Sequence, residues 1–251
     1  MKIRLDKLLL ARQLVPTREK AQALVLAGRV LVNEQKIDKP GSSVTEDVAI
    51  RILGDDLRYV SRGGVKLEAA LRHWKIDLSE RFCLDVGAST GGFTDCMLQH
   101  GAAKVLAIDT GYGQIAQKLR DDVRVTLMER TNARHIESGD LPRGITFLGM
   151  DVSFISATLI LPAVVQALLN GSSGALECVV LVKPQFEAGR EHIGKGGIVR
   201  DPAAHQLAID RVRCCVGDLG GDAIELADSP ILGAEGNREF LLHARFAEKK
   251  I

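Results

Sequence analysis

The feature that most constrains this chain is a regular alternation of strand-length apolar runs and helix-length patterns, which begins near residue 64. Seven runs have the length and the apolar character of buried strands. They lie at residues 81–87, 103–109, 123–128, 145–151, 178–183, 223–229 and 239–245. Helical patterns such as PAAHQLAIDRVRCCVGDLG separate most of them. The alternation predicts an α/β fold with a mostly parallel, doubly wound sheet, whose last two strands have a short connection that allows antiparallel pairing.

The first part of the chain has a different pattern and is predicted to form a small α+β unit. Two short helices are expected at residues 5–14 and 18–28, the second with Thr17 as its N-cap. Two strands are expected at 29–33 and 48–52, separated by the turn-rich KPGSSVTED. We expect a first domain at 1–56, a linker at 57–63 and a second domain at 64–251.

Charge is distributed unevenly along the chain. Residues 1–53 contain ten basic and six acidic residues, a net charge of +4, whereas the whole chain carries +1. A basic N-terminal segment (residues 1–53, called the head below), joined to a slightly acidic remainder of the chain, favours a polyanionic partner such as RNA. The candidate phosphate contacts are Arg4, Lys7, Arg18, Lys20 and Arg29 in the head and Arg190, Lys195 and Arg200 in the glycine-rich segment 189–200. Taken singly, such side chains are more often solvated surface charges, and the segment could be only a long connection.

The cysteines and the apolar stretches indicate a reducing compartment and no membrane span. The five cysteines contain no CxxC pair, and Cys83, Cys96 and Cys178 lie in apolar surroundings where a reduced core thiol is expected. No metal site is expected. The longest apolar stretch, ISATLILPAVVQALL, includes polar residues and is too short to cross a bilayer. We therefore expect a cytoplasmic protein without a secretion signal, and no protein partner is indicated.

The stretch LDVGASTGGFTD follows a strand and opens a helix, which is where α/β folds bind nucleotides. It is not a P-loop, because Phe93 follows Gly92, and Ser89 occupies the middle glycine position of a dinucleotide fingerprint. Asp109 ends the next strand, 24 residues after Asp85, at a spacing that suits a carboxylate accepting from ribose hydroxyls. A glycine-rich turn with these acids and no phosphate clamp favours S-adenosylmethionine. The alternative is a tight connection without a ligand.

Four charged residues are expected to meet at one edge of the sheet. Asp151 and Lys183 end two strands, and Glu239 begins the last one. Lys66, on the helix before the first strand of the sheet, could flank them, since ligands bind outside the carboxyl ends of parallel strands. Methyl transfer to an oxygen needs alignment and removal of a hydroxyl proton. Lys183 is the candidate base and Asp151 would hold its amine, although a single Lys–Asp pair is more often a surface ion pair.

Several longer motifs resemble a known family. SRGGVKLEAAL, LDVGASTGGFTD, DTGYGQIAQKLR, ERTNAR, DVSFIS, KPQFEAGR, GGIVRD and GNREF occur in that order, as in the TlyA (haemolysin A) family. That family is similar to FtsJ-type ribose 2′-O-methyltransferases, and RLDKLLLARQLVPTREKAQALVLAGRVLVN resembles its S4-like RNA-binding domain. The resemblance implies a Rossmann-like class I methyltransferase domain with a seven-stranded sheet. It also implies S-adenosylmethionine-dependent methylation of a cytidine 2′-hydroxyl in ribosomal RNA or in ribosomal subunits.

The resemblance also assigns residues. The family's Lys-Asp-Lys-Glu tetrad falls on Lys66, Asp151, Lys183 and Glu239, with Lys183 activating the hydroxyl and Asp151 orienting it. Donor-binding residues would be Asp85, Gly87, Ser89, Thr90, Gly91, Gly92, Phe93, Asp109, Gly113, Gln114, Asn132 and Asp151. Few residues precede RLDK, as in the shorter form of the family. That resemblance favours methylation of the large-subunit RNA over methylation of the small-subunit RNA.

Three other functions share parts of these features. An RNA-binding assembly factor with weak or lost catalysis would keep the head, but the intact tetrad speaks against it. A nicotinamide oxidoreductase would share the sheet, but Ser89 interrupts its fingerprint. A membrane-lytic haemolysin, suggested by the family's older label, would need a spanning or lytic amphipathic segment, and the sequence shows neither.

Overall fold

The computed structural model describes residues 2–12, 14–15, 17–52, 58–171, 175–233 and 236–247. It divides into two compact units, residues 1–57 and residues 58–251. The finer boundaries given above, with a linker at 57–63, stay a prediction. Tyr59, which lies inside that predicted linker, has only 1% of its surface exposed and belongs to the core of the second unit.

The first unit is a small α+β structure built on short elements. Its strands are β1 (Lys2–Arg4), β2 (Val30–Val32), β3 (Gln35–Ile37), β4 (Ser43–Thr45) and β5 (Ile50–Ile52), and its helices are α1 (Leu5–Ala11) and α2 (Arg18–Leu26). β1 pairs with β4, and β3, β2 and β5 form a three-stranded antiparallel sheet in that order. Leu5, Leu9, Val25 and Val30 form the centre of the core, with no exposed surface.

The structure confirms some predictions for this unit and corrects others. Thr17 caps α2 as predicted, since its hydroxyl accepts from the Lys20 backbone N–H over 3.2 Å. The first helix ends at Ala11 rather than near residue 14. The strands β1, β3 and β4 were not predicted, because each has at most one buried residue, whereas the predicted β2 is apolar and buried throughout. Asn33 and Glu34, with φ of 49° and 64°, form the two-residue turn between β2 and β3 without the glycine that usually signals it.

The second unit contains the predicted seven-stranded sheet. Its strands are β6 (Phe82–Val86), β7 (Lys104–Ile108), β8 (Val125–Met128), β9 (Ile145–Met150), β10 (Leu176–Val182), β11 (Gly221–Asp228) and β12 (Phe240–Phe246). Their order in the sheet is β11-β12-β10-β9-β6-β7-β8. Strand β12 runs antiparallel to both of its neighbours, β11 and β10. The strands β10, β9, β6, β7 and β8 all run parallel to one another. The predicted fold class and the antiparallel pairing of the last two strands are confirmed.

Helices cover both faces of this sheet. They are α3 (Gly63–Trp74), α4 (Gly92–Gln99), α5 (Gln117–Arg120), α6 (Leu161–Gly171), α7 (Pro184–Glu187) and α8 (Pro202–Asp218), with 3₁₀ turns at Ala133–His135, Ala157–Leu159 and Arg190–His192. Val180 and Val182 of β10 pack on the face that carries α6 and α8, whereas Val179 and Leu181 pack with α3 and α4. All seven residues of β10 are buried, which explains its unbroken apolar run in the sequence.

The segment before α3 is held tightly to the second unit. A Cβ at Gly64 would lie 2.3 Å from Cγ of Tyr59, so only glycine lets the helix start pass over this ring. The backbone N–H of Val60 donates to Asp95 Oδ2 of α4 over 2.7 Å. This packing was not predictable from the sequence, because a single aromatic residue among polar neighbours has no periodic partner.

The cysteines that were predicted to be core thiols are buried and free. Burial raises the pKa of Cys83, Cys96 and Cys178 to about 12. Among the residues that the structure describes, no helix combines the length and the apolar character needed to span a bilayer. Within the same residues, no cluster of His, Cys, Asp and Glu side chains could hold a metal ion.

Candidate active site

The carboxyl edge of the parallel strands gathers the four charged residues predicted from the sequence. Asp151 directly follows β9, and Lys183 directly follows β10. Because β12 is antiparallel to β10, its first residue, Phe240, pairs with Val182, and Glu239 therefore lies beside the end of β10. Because β12 is antiparallel, it places the residue before its beginning, Glu239, at the edge where the parallel strands end.

The four residues form two ion pairs. Lys183 Nζ lies 2.6 Å from Asp151 Oδ1, and Lys66 Nζ lies 2.5 Å from Glu239 Oε2. Lys66, Lys183 and Glu239 each have less than a tenth of their surface exposed. Buried charges are stable only when they are paired, and here each lysine has an acid, so the group carries no net charge. Lys66 reaches the site from α3, whose neighbouring Leu67, with no exposed surface, anchors the helix in the core.

Two cavities adjoin at this edge. The first cavity, of about 440 Å³, is lined by Val86, Gly87, Ser89, Ile108, Asp109, Thr110, Gln114, Thr131, Asn132, Ala133, Asp151, Val152, Ser153, Phe154, Ile155 and Ile160. The second cavity, of about 530 Å³, is lined by Ser61, Arg62, Gly63, Lys66, Ser89, Ser153, Phe154, Lys183, Gln185, Phe186, Ile193, Gly197 and Glu239. Ser89, Ser153 and Phe154 line both. Asp151 lines the first cavity and Lys183 the second, so their ion pair connects the two.

The lining of the first cavity combines carboxylate, hydroxyl and amide groups with apolar side chains. Asp109 accepts hydrogen bonds from the backbone N–H groups of Ser89 (2.8 Å) and Gly111 (2.7 Å), so its carboxylate is fixed while it lines the cavity. Gly87 has a φ of +86°, and a Cβ there would lie 2.5 Å from the Asp151 carbonyl oxygen. This turn therefore requires glycine for the two strand ends to approach each other.

Six of the predicted donor-binding residues lie away from this lining. Within the described part of the chain, neither cavity is lined by Asp85, Thr90, Gly91, Gly92, Phe93 or Gly113. Asp85 is fully buried, and its Oδ2 accepts from the N–H (2.9 Å) and hydroxyl (2.6 Å) of Thr94 at the start of α4. Burial raises the pKa of Asp85 to about 7, although these hydrogen bonds lower it. Side chains alternate along a strand, so Asp85 shares the α4 face with Cys83, and its part in donor binding stays a prediction.

Several residues of the site were not predicted. Ser153 Oγ accepts a hydrogen bond from Lys183 Nζ over 2.7 Å. Phe154 is 92% exposed with a φ of +65°, and its ring lies 5.6 Å from that of Phe186. An exposed aromatic side chain in a strained backbone is a functional signal. Arg62, which is exposed, lines the second cavity. These residues lie in the quoted motifs, but only their positions in space distinguish them.

The predicted RNA contacts divide into paired and exposed side chains. Arg4 and Arg18 of the first unit both donate to Asp6, a carboxylate with no exposed surface. Lys7 and Lys20 are exposed, and Arg29 is half-buried.

In the second unit, the segment after α7 borders the second cavity. Its members Ile193 and Gly197 line that cavity, whereas the predicted Arg190, Lys195 and Arg200 are exposed. The Asn237 side chain holds this segment, because it donates to the Gly197 carbonyl and accepts from the Val199 N–H, both over 2.9 Å. Whether any of these cations contacts RNA stays a prediction.

The order of strands and the paired charges at their carboxyl edge are typical of a methyltransferase. The FtsJ-like methyltransferase family model matches residues 59–246, and the chain belongs to this family. An S4 domain model matches residues 3–50. The family predicted from the motifs is thereby confirmed, and the second unit is a methyltransferase domain.

Relatives over nearly the whole length carry related names. YqxC of Bacillus subtilis, provisionally named an rRNA methyltransferase, is 49% identical over 96% of this chain and 85% of its own. The 16S/23S rRNA (cytidine-2′-O)-methyltransferase TlyA of Mycobacterium tuberculosis is 40% identical over 96% of this chain and 89% of its own. A solved structure from Streptococcus thermophilus, provisionally named a hemolysin, is 44% identical with a TM-score of 0.75, covering 98% of this chain and 89% of that one.

Proposed function

We propose that this protein transfers the methyl group of S-adenosylmethionine to a cytidine 2′-hydroxyl in ribosomal RNA, with large-subunit RNA as the favoured substrate. The observation that carries the proposal is the Lys183–Asp151 ion pair, which joins two adjoining cavities. One cavity suits the methyl donor and the other suits the nucleotide that receives the methyl group. The mycobacterial relative is named for this reaction.

The first cavity fits S-adenosylmethionine by its chemistry. Asp109 would accept from the ribose hydroxyls, the turn at Gly87 and Ser89 admits close approach of the ligand, and Gln114 and Asn132 supply side-chain amides. Asp109 and Asp151 make the lining acidic, which complements a sulfonium cation. When bound, the cofactor supplies an electrophilic methyl group.

The second cavity supplies the base. The Lys183 ammonium first gives a proton to water. The amine then takes the proton of the 2′-hydroxyl as the oxygen attacks the methyl group, and the ammonium that forms again is stabilised by Asp151, 2.6 Å away. The ammonium then returns its proton to water. The Lys66–Glu239 pair, at the opposite side of the lysine–acid group, fixes the shape of the cavity and offers charged hydrogen-bonding groups to the ribose.

The remaining features support an RNA substrate. The first unit matches an S4 domain, and its residues 1–53 carry a net charge of +4, whereas the whole chain carries +1. At the second cavity, Phe154 is exposed enough to stack on an unpaired base, and Arg62 could meet a phosphate. Ribosomal RNA or a ribosomal subunit in the cytoplasm is the proposed partner.

The test is methylation of ribosomal subunits purified from cells that lack this protein, followed by mapping of the modified nucleotide. We expect the wild type to methylate one or more cytidines at the 2′-oxygen. Lys183→Ala should lower the rate at least about 100-fold, as expected for a lost general base, with RNA affinity within about twofold. Lys104→Ala, an exposed lysine at the start of β7, is the matched control and should stay active.

Two outcomes would contradict the proposal. A wild type that methylates no ribosomal RNA would leave only RNA binding, as expected of an assembly factor. A Lys183→Ala variant with the wild-type rate would show that another group removes the proton.

A further inference from the structure

The hydroxyl of Ser153 lies where the two cavities meet and contacts the proposed base. Lys183 Nζ donates to Ser153 Oγ over 2.7 Å. Asp151 Oδ1 is equally close to that nitrogen, at 2.6 Å, and forms an ion pair with it, but this oxygen accepts no hydrogen bond among the described residues. The carboxylate therefore supplies charge, which has little directional preference, and the serine hydroxyl supplies direction.

We propose that Ser153 is a positioning residue that aims the Lys183 amine at the hydroxyl to be methylated. The inference rests on the proposed function. A neutral amine has two N–H groups and one lone pair in a tetrahedral arrangement. One N–H donates to Ser153. The negative charge of Asp151 attracts the second N–H and repels the lone pair, so the second N–H points toward the carboxylate. The lone pair is then left facing the remaining direction, where it can accept a proton from an alcohol in the second cavity, which Lys183 also lines.

Removing the serine hydroxyl would release this constraint. The terminal bond of a lysine has three staggered positions of similar energy, so an amine held only by charge would spend part of its time with the lone pair misdirected. A base must lie in a defined geometry relative to the proton that it removes, and small misplacements have large kinetic effects. The result is a slower chemical step with unchanged binding.

The local structure separates this role from a role in stability. Ser153 is exposed, so replacing it by alanine opens no cavity in the core, and the buried Lys183 amine keeps its ion pair with Asp151 at 2.6 Å. A direct contact between Ser153 and the RNA is the competing explanation. That contact would affect the KM for RNA, whereas aiming of the amine affects kcat.

The experiment compares steady-state methylation of ribosomal subunits by the wild type, Ser153→Ala and Ser153→Thr, with Ser138→Ala as the control. Ser138 is an exposed serine outside both cavities. We expect Ser153→Ala to lower kcat about 10- to 100-fold, with the KM for RNA and the Kd for S-adenosylmethionine within about twofold. Ser153→Thr restores the hydroxyl and should recover kcat to within about threefold of the wild type.

Each other result overturns the inference. If Ser153→Ala keeps the wild-type kcat, or if its loss is confined to the KM for RNA, Ser153 does not act through Lys183. A folded Ser153→Thr variant as slow as Ser153→Ala would show that the hydroxyl is not the relevant group. These results leave the proposed function intact as long as the wild type is active, whereas an inactive wild type overturns both.

Discussion

Replacing Asp6 by asparagine should weaken RNA binding, although the change removes a negative charge from a basic surface. Asp6 is fully buried, and its Oδ1 accepts from Arg4 Nε and the Lys7 backbone N–H, both over 3.0 Å. Its Oδ2 accepts from Arg4 Nη2 (2.9 Å), Arg18 Nε (3.1 Å) and Gln22 Nε2 (3.1 Å). The Arg4 side chain, through this contact, holds the pKa of Asp6 well below its usual range.

These contacts fix two arginines that would otherwise be free to rotate. The Arg4 and Arg18 side chains are still 46% and 44% exposed, so each presents part of its guanidinium group to a ligand. An ordered side chain avoids about 0.5–1.5 kcal/mol of immobilisation on binding, or about 1–3 kcal/mol for the two. Asp6→Asn loses the Nε contact of Arg4, whereas its one oxygen can still hold Arg18, so release of Arg4 alone should weaken RNA binding about 2- to 13-fold and release of both arginines about 5- to 150-fold.

The substitution should also destabilise the first unit. Asparagine keeps one oxygen, so at best it retains the three contacts of Oδ2 and loses the two of Oδ1. Two lost hydrogen bonds, one of them to a charged group, should lower the free energy of unfolding by about 2–4 kcal/mol. RNA affinity must therefore be measured where circular dichroism shows the variant to be folded.

The assay is filter binding of the full chain to deproteinised large-subunit RNA across a salt series. Asp38→Asn is the matched control, because Asp38 is an exposed acid of the same unit and the charge change is identical. Simple electrostatics predicts tighter or unchanged binding for both variants. If Asp6→Asn binds RNA as tightly as Asp38→Asn, the arginines are not preorganised by Asp6 and the reasoning is wrong.

Two further predictions concern stability of the second unit. Burial raises the pKa of Asp85 to about 7 from 3.8, so the buried group favours the protonated form, and its contribution to stability is lost as pH rises between these values. Asp85→Asn keeps an acceptor for Thr94 but has no carboxyl group to titrate. As the pH rises from 4 to 8, its free energy of unfolding, measured in urea, should therefore increase by about 4 kcal/mol relative to that of the wild type. An equal pH dependence of both proteins would contradict this. Gly87→Ala places a Cβ 2.5 Å from the Asp151 carbonyl oxygen at a φ of +86° and should lower the free energy of unfolding by about 2–5 kcal/mol. Gly139→Ala, where a Cβ meets nothing within 4 Å, should change little, and similar losses in both variants would refute the steric argument.

The sequence predicted the large sheet well because its central strands are buried on both faces. β10 is seven residues long and entirely buried, so its apolar run is unmistakable, and its neighbours follow the same rule. The small strands of the first unit were missed for the opposite reason. β4, for example, buries only Val44, and a single apolar residue does not establish a period.

The candidate site was predictable to the extent that it depends on strand ends. Asp151, Lys183 and Glu239 could be placed together because topology alone brings the ends of β9 and β10 and the beginning of β12 to one edge. The contact of Ser153 with the Lys183 amine depends on the path of the loop after β9, which no local pattern specifies. The contact of Asp85 with α4 was not apparent from its position in the motif, and a part for Asp85 in donor binding stays a prediction.

The position of β12 has a consequence for the order in which the protein is made. This strand follows every other strand in the sequence, yet it lies inside the sheet, between β11 and β10. A growing polypeptide that has not yet emerged as far as β12 cannot join β11 to the rest, and Lys66 still lacks its carboxylate partner. The joined sheet and the buried Lys66–Glu239 pair can therefore form only once β12 is available, and a fragment that ends before β12 has neither.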